Sequence, residues 1–179
     1  MDTISLQRLA TLHPNIRKAV TDAYVEVNNK LLGKGVRLRI AYTTRTMEEQ
    51  AFLYSFGRTR LYNDNGRRLQ KVTNAAPGQS IHNYSLAWDI VLLLDRNKDG
   101  VFEEAVWDTK IDFDGDGKAD WMEAVAKFKS IGAVWGGDWK RFVDAPHFEM
   151  TFGHNWRSLQ KLPTFTEIIN GKVYTYPKL

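Results

Sequence analysis

The sequence predicts an α+β fold. Helical apolar periods and short alternating runs are interspersed, without the regular strand–helix alternation of a parallel sheet. Hydrophobic residues make up 43% and charged residues 26%, the balance of an ordinary globular chain. The 179 residues are enough to bury one proper core.

The elements follow in order. From His13 to Leu32, Ile16, Val20, Tyr24, Val27 and Leu31 recur at spacings of three and four, which predicts an amphipathic helix. Pro14 suits its first turn, and Gly33 and Gly35 end it. Val36 to Thr43 alternates Val36, Leu38, Ile40 and Tyr42, the pattern of a strand. "TMEEQAFLYSFGRTR" predicts a helix with Thr46 as N-cap and Glu49 closing a capping box. Residues 61–80 are polar and turn-rich and read as a long loop. "LAWDIVLLLD" predicts an apolar strand, and an Asp/Gly-rich stretch follows it. "WMEAVAKFKSI" predicts a helix, "AVWGG" and "HFEM" short strands, and "NWRSLQKL" a short helix. In the tail, Asn170-Gly171 between two alternating runs predicts a hairpin from Thr166 to Tyr176. One domain over residues 1–162 with an inserted segment at 95–123, followed by a hairpin tail over 163–179, is the expected organisation.

Composition excludes several function classes. With no cysteine there is no disulfide, no thiolate nucleophile and no Cys-type zinc site, so any metal falls to His, Asp, Glu or backbone oxygen. The net charge of +4 and pI near 9.2 suit an anionic partner such as a cell wall. They are too weak to argue for nucleic acid. No apolar run approaches the ~20 residues of a membrane span. The first residues lack the basic and apolar regions of a signal peptide, so synthesis in the cytoplasm is expected.

Four histidines are present: His13, His82, His147 and His154. Asp89 follows His82 by seven residues and falls inside the apolar strand. A buried, unpaired carboxylate there is costly; a metal cation offsets the cost, and backbone N–H groups or an arginine would serve as well. "DAPHFEM" places His147 at the start of another short strand. A lone His147 reads more readily as a packed, hydrogen-bonded residue than as a ligand. Taken together, His82, Asp89 and His147 are a His₂Asp set, which with a water has the composition of a catalytic zinc site. Asp144 stands three residues before His147, and Pro146 disfavours a helical turn between them, so Asp144 can sit beside a metal without ligating it. Such a carboxylate is what a metallopeptidase needs as general base. Glu149 shares a strand face with His147 and competes for that role. His154 and His13 read as histidines at helix starts.

These residues carry a resemblance. "SIHNYSLAWDI" resembles the S-x-H-x-x-G-x-A-x-D motif of the zinc D-Ala-D-Ala carboxypeptidase (VanY-like) and phage L-alanyl-D-glutamate endopeptidase family. "WGGDWKRFVDAPHFE" is similar to its second histidine motif, and "AYTTRTMEEQ" to its strand, Arg and Gln element. The three occur in family order across residues 36–150. The resemblance implies a hedgehog/DD-peptidase-type fold, a small antiparallel sheet flanked by helices. It implies zinc on His82, Asp89 and His147, Asp144 as base, and Arg45 steadying the substrate carbonyl or oxyanion; the alternative for Arg45 is a surface ion pair with Glu48 or Glu49. Two departures stand out. The family glycine is Ser85, and the base, often Glu, is Asp144, as in the phage endopeptidase branch.

The expected activity is hydrolysis of peptidoglycan stem peptides at the L-Ala–D-Glu bond, by a monomer released to the wall through a holin. A D-Ala-D-Ala or LD-carboxypeptidase is the alternative, and a non-catalytic wall-binding module a further one.

Asp112 to Glu123, "DFDGDGKADWME", matches the twelve-residue EF-hand loop. Asp112, Asp114 and Asp116 take positions 1, 3 and 5, Gly117 position 6, the Lys118 carbonyl position 7, Asp120 position 9 and Glu123 position 12. Ca²⁺ is the expected ion, although the entering segment is not helical; a solvated Asp/Gly turn is the alternative. "DRNKDGVFEEAV" imitates the loop start with Asp95, Asn97 and Asp99, but Val106 at position 12 cannot ligate, so weak binding or a plain turn is expected.

Overall fold

The computed structural model describes residues 2–179. Its helices are α1 (Thr3–Leu9), α2 (Pro14–Glu26), α3 (Met47–Ser55), α4 (Asp120–Ser130) and α5 (Trp156–Leu159). Its strands are β1 (Val36–Tyr42), β2 (Ala87–Leu94), β3 (Glu104–Val106), β4 (Val134–Trp135), β5 (His147–Glu149), β6 (Thr164–Ile169) and β7 (Lys172–Pro177). The expected α+β class with small antiparallel sheets is what the chain adopts. By contacts the chain forms two compact units, one of residues up to Thr43 with Ala87–Met150, the other of Thr44–Leu86 with Thr151–Leu179.

The first unit is built on a sheet with strand order β1-β2-β5-β4. β2 is its spine: β1 pairs along one edge, while β5 and β3 divide the other, opposite Ala87–Asp89 and Leu92–Leu94. Alternation along a strand sends neighbours to opposite faces. Trp88 and its partner Phe148 therefore face one way, where both are fully buried with Phe128 of α4, at ring separations of 5.0–5.8 Å. Asp89 and its partner His147 face the other way. One register thus separates an aromatic core from a polar pair.

The helix expected over His13–Leu32 is regular only to Glu26; Val27–Leu31 is a π-helical turn. The cause is tertiary. The Asn28 amide spans α2 and β1, donating to Tyr24 O and Leu38 O and accepting the Leu38 N–H, at 3.0–3.2 Å. The strand in "AVWGG" stops at Trp135, and Gly136–Asp138 turn as a 3₁₀ segment.

The second unit holds α3, a 3₁₀ turn at Ile81–Tyr84, α5 and the β6–β7 hairpin. The Thr46–Glu49 capping box is present in full. α3 stops at Ser55, short of the run through Arg60, as Phe56 turns extended and Gly57 takes φ +65°. Residues 61–80 form a loop with one isolated bridge, Tyr62 to Arg68. Among the described residues no helix is long and apolar enough to cross a membrane.

Candidate metal centre

The 3₁₀ turn carrying His82 is pinned by its backbone. The His82 carbonyl accepts the N–H groups of Arg45 and Ser85 at 3.0 and 3.2 Å, and the Asn83 amide donates to the Arg45 carbonyl. Ser85 ends the turn in the left-handed region at φ 60°, a conformation that favours glycine. Its hydroxyl accepts a hydrogen bond from Thr44 at 2.9 Å, so the side chain in the family glycine's place has a partner. From there the chain enters β2 and reaches Asp89.

His82, Asp89 and His147 each offer a ligand atom, and these atoms lie within 4.8 Å of one another. Both histidines are buried. His147 Nδ1 stands 3.3 Å from Asp89 Oδ1, and its Nε2 3.0 Å from Glu149 Oε2. Ligands about 2.0–2.1 Å from a tetrahedral zinc ion are themselves about 3.3 Å apart. The donor types and this spacing fit zinc, and Glu149 is placed to accept the other N–H of the His147 imidazole. Burial works against a charge on His147, but the carboxylates of Asp89 and Glu149 outweigh it and push the imidazole up to about 9 in the metal-free chain. Two carboxylates beside one buried imidazole thus favour a positive charge there.

The motif around Trp135 shapes the approach to His147. A Cβ on Gly136 would meet the Asp144 carbonyl oxygen at 2.5 Å and His147 Cβ at 3.2 Å. Without one, the Gly136 carbonyl accepts the Asp144 N–H at 3.0 Å. The Asp144 carbonyl then accepts the His147 N–H at 3.1 Å, closing a turn across Ala145-Pro146. Trp135 Nε1 donates to the Ala145 carbonyl at 2.6 Å, and the Trp139 ring lies 5.1 Å from the His147 ring. Asp144 itself is half-buried.

Arg45 Nη1 donates to Gln50 Oε1 at 3.0 Å, and the Gln50 amide in turn donates to the Ala75 carbonyl at 2.6 Å. Glu49, considered as an ion-pair partner for Arg45, closes the capping box. Arg45 and Asn83 line a groove of about 320 Å³ whose far wall includes Val173 and Tyr174 of the tail hairpin. His13 caps α2 through its Nδ1, and His154 Nδ1 stands 3.2 Å from the Ser158 hydroxyl in α5. Sequence reasoning missed the partnership of Gln50 with Arg45 and that of Glu149 with His147; the quoted motifs contained both residues.

The acidic loop gathers in two overlapping sets. Ligand atoms of Asp112, Asp114 and Asp116 lie within 4.8 Å of one another, as do those of Asp114, Asp120 and Glu123. Burial, then the charges of Asp114 and Asp112, push the Asp120 carboxyl up to about 6. The Lys118 ammonium reaches Asp116 at 3.2 Å and Glu123 at 3.5 Å.

A family model described as D-alanyl-D-alanine carboxypeptidase, of the M15 peptidases, matches residues 73–150, which contain all three zinc candidates and Asp144. The chain is 40% identical over 139 residues to the peptidoglycan L-alanyl-D-glutamate endopeptidase CwlK of Bacillus subtilis (strain 168), covering 78% of this chain and 73% of that protein. The chain belongs to the M15 peptidase family. The metallopeptidase class expected from its motifs stands with that membership. The crystal structure of the L-Ala D-Glu endopeptidase ChiX of Serratia marcescens shares the M15 peptidase fold, with TM-score 0.52 over 85% of this chain and 90% of that one at 18% identity.

Proposed function

We propose that the chain is a zinc endopeptidase that cuts the L-Ala–D-Glu bond of peptidoglycan stem peptides. The observation that carries this reading is the gathering of His82, Asp89 and His147 within 4.8 Å, in a chain 40% identical to CwlK. Zinc held there supplies a Lewis acid that polarises the scissile carbonyl and acidifies water.

The chain's own groups do the rest. The Asp144 carboxylate takes a proton from the attacking water and returns it to the leaving amine. Glu149, 3.0 Å from His147 Nε2, accepts that N–H and leaves Nδ1 to face Asp89. In this reading Glu149 orients the imidazole and Asp144 is the base. Arg45, oriented by Gln50, presents its guanidinium to the developing oxyanion. An extended stem peptide lies in the groove that Arg45, Asn83 and Tyr174 line.

Mass spectrometry of digested peptidoglycan tests the reading. New N-terminal D-Glu or D-isoGln is the expected product; release of D-Ala alone would instead make the chain the carboxypeptidase that the matching family model describes. Asp144→Asn is expected to keep zinc and lose about 10²–10⁴-fold in kcat. Glu149→Gln is expected to keep turnover at saturating zinc and weaken zinc binding by about 10–100-fold. Loss of zinc in Asp144→Asn would overturn this division of roles.

A further inference from the structure

The acidic loop before α4 plays no part in the proposed chemistry. A cluster of carboxylates is ordinary on a protein surface, but two members of this one are not at the surface. Asp120 is fully buried; its Oδ2 accepts the Phe113 N–H at 2.8 Å, and its Oδ1 meets no donor. Glu123 is 8% exposed, and its Oε2 meets no donor either. Dehydrated carboxylate oxygens without a partner are costly, and native proteins rarely leave them so. Both residues offer ligand atoms within 4.8 Å of one from Asp114, which also belongs to the outer set with Asp112 and Asp116.

We propose that Asp112, Asp114, Asp116, Asp120 and Glu123 form a single calcium site, and that calcium displaces the Lys118 ammonium from it. All five donors are hard carboxylate oxygens, which suits Ca²⁺ and its six to eight ligands. Mg²⁺ demands compact octahedral geometry and keeps its waters, so five converging carboxylates suit it poorly. Lys118, whose side chain is 67% exposed, reaches into the site from solvent and leaves without disturbing the core. Asp114 Oδ2 also accepts the Gly33 N–H at 2.6 Å, so the ion ties the turn before β1 to the first turn of α4.

The neighbouring loop provides an internal contrast. Asp95 is just as buried, but its Oδ1 accepts the Asp99 N–H at 3.0 Å and its Oδ2 the Gly100 N–H at 2.9 Å. Its charge is answered by backbone amides, and position 12 is Val106. One ion per chain in this region is the expectation, not two.

Titration of the zinc-loaded full chain with calcium chloride, by calorimetry and by thermal melting, tests the site without reference to catalysis. One ion should bind, and calcium at a hundredfold its Kd should raise Tm by about 5–10 °C. Lys118→Met should tighten binding about two- to fivefold by removing the competing charge. Asp120→Asn keeps an acceptor for Phe113 and removes the buried charge, so it should melt no lower than the parent without calcium and lose the calcium response. Glu123→Gln should lose it too. No heat and no shift at millimolar calcium in both the parent and Lys118→Met would overturn the proposal. So would an undiminished response in both Asp120→Asn and Glu123→Gln, or an equal response to magnesium.

Discussion

Gly136 shows how little room separates the W-G-G-D-W segment from the turn between Asp144 and His147. Its missing Cβ is what lets the Asp144 carbonyl approach, so Gly136→Ala should destabilise the chain by about 1–3 kcal/mol and lower its zinc content, read by melting and metal analysis. Gly137 is needed for a nearer reason: a Cβ there would strike the Trp135 ring at 2.2 Å. In the proposed function Gln50 acts through Arg45, whose guanidinium it holds. Gln50→Ala should lower kcat with unchanged zinc content, and Gln50→Glu, which keeps an acceptor for the guanidinium, should restore part of it. If Arg45 is instead a surface ion-pair residue, neither variant will move kcat. At this scale the sequence was informative about residue type and silent about partners. His82, Asp89 and His147 were legible as a candidate set because few residues can hold a metal in a chain without cysteine. The Glu149–His147 contact depends on rotamers that no spacing reveals.

Elements were legible where a period or a cap repeats locally. The α3 capping box is a four-residue signal, and Thr46→Ala, which removes its hydroxyl, should cost about 1 kcal/mol in thermal unfolding. Elements held by distant bonds were not legible. α1 has only seven residues, too few for a period, and its N-cap, Asp2, is also held by a distant arginine. Asp2 accepts the N–H groups of Ile4 and Ser5 and pairs with Arg39 of β1 through two hydrogen bonds of 2.8 and 3.1 Å. Burial works against the Asp2 charge, but the bonds from Arg39 and Ser5 outweigh it and hold the carboxyl below its ordinary 3.8. A depressed folded-state pKa contributes stability that is present above the unfolded value and lost as pH falls through the folded one. Thermal melts of the parent should therefore weaken below about pH 4. Asp2→Asn should cost about 1–3 kcal/mol at neutral pH and show a shallower acid limb. The three-residue β3 and the π-helical turn at Val27–Leu31 escaped for the same reason: pairing with β2 and the Asn28 bridge to β1 decide them.

For the whole molecule, the α+β class followed from the mixture of periods, whereas the strand order did not. That β5 pairs with β2 so that His147 stands opposite Asp89 is a property of register between segments 58 residues apart. The two proposed metal sites, of different chemistry, predict two separable responses to metal removal. A nitrogen-donor chelator such as 1,10-phenanthroline should abolish wall hydrolysis, and added zinc should restore it. Dialysis into calcium-free buffer containing zinc should leave the zinc centre loaded and lower Tm only. Loss of hydrolysis on removing calcium in this way would mean that the acidic loop governs hydrolysis as well.

The Trp139 ring, tilted 47° against the His147 imidazole at 5.1 Å, gives the centre an optical reporter. A protonated imidazole draws electron density from an excited indole and quenches its emission. Metal that takes the place of the proton on His147 changes that quenching at a single indole. The difference in emission between the parent and Trp139→Phe would then follow occupancy of the centre in real time, with no substrate present.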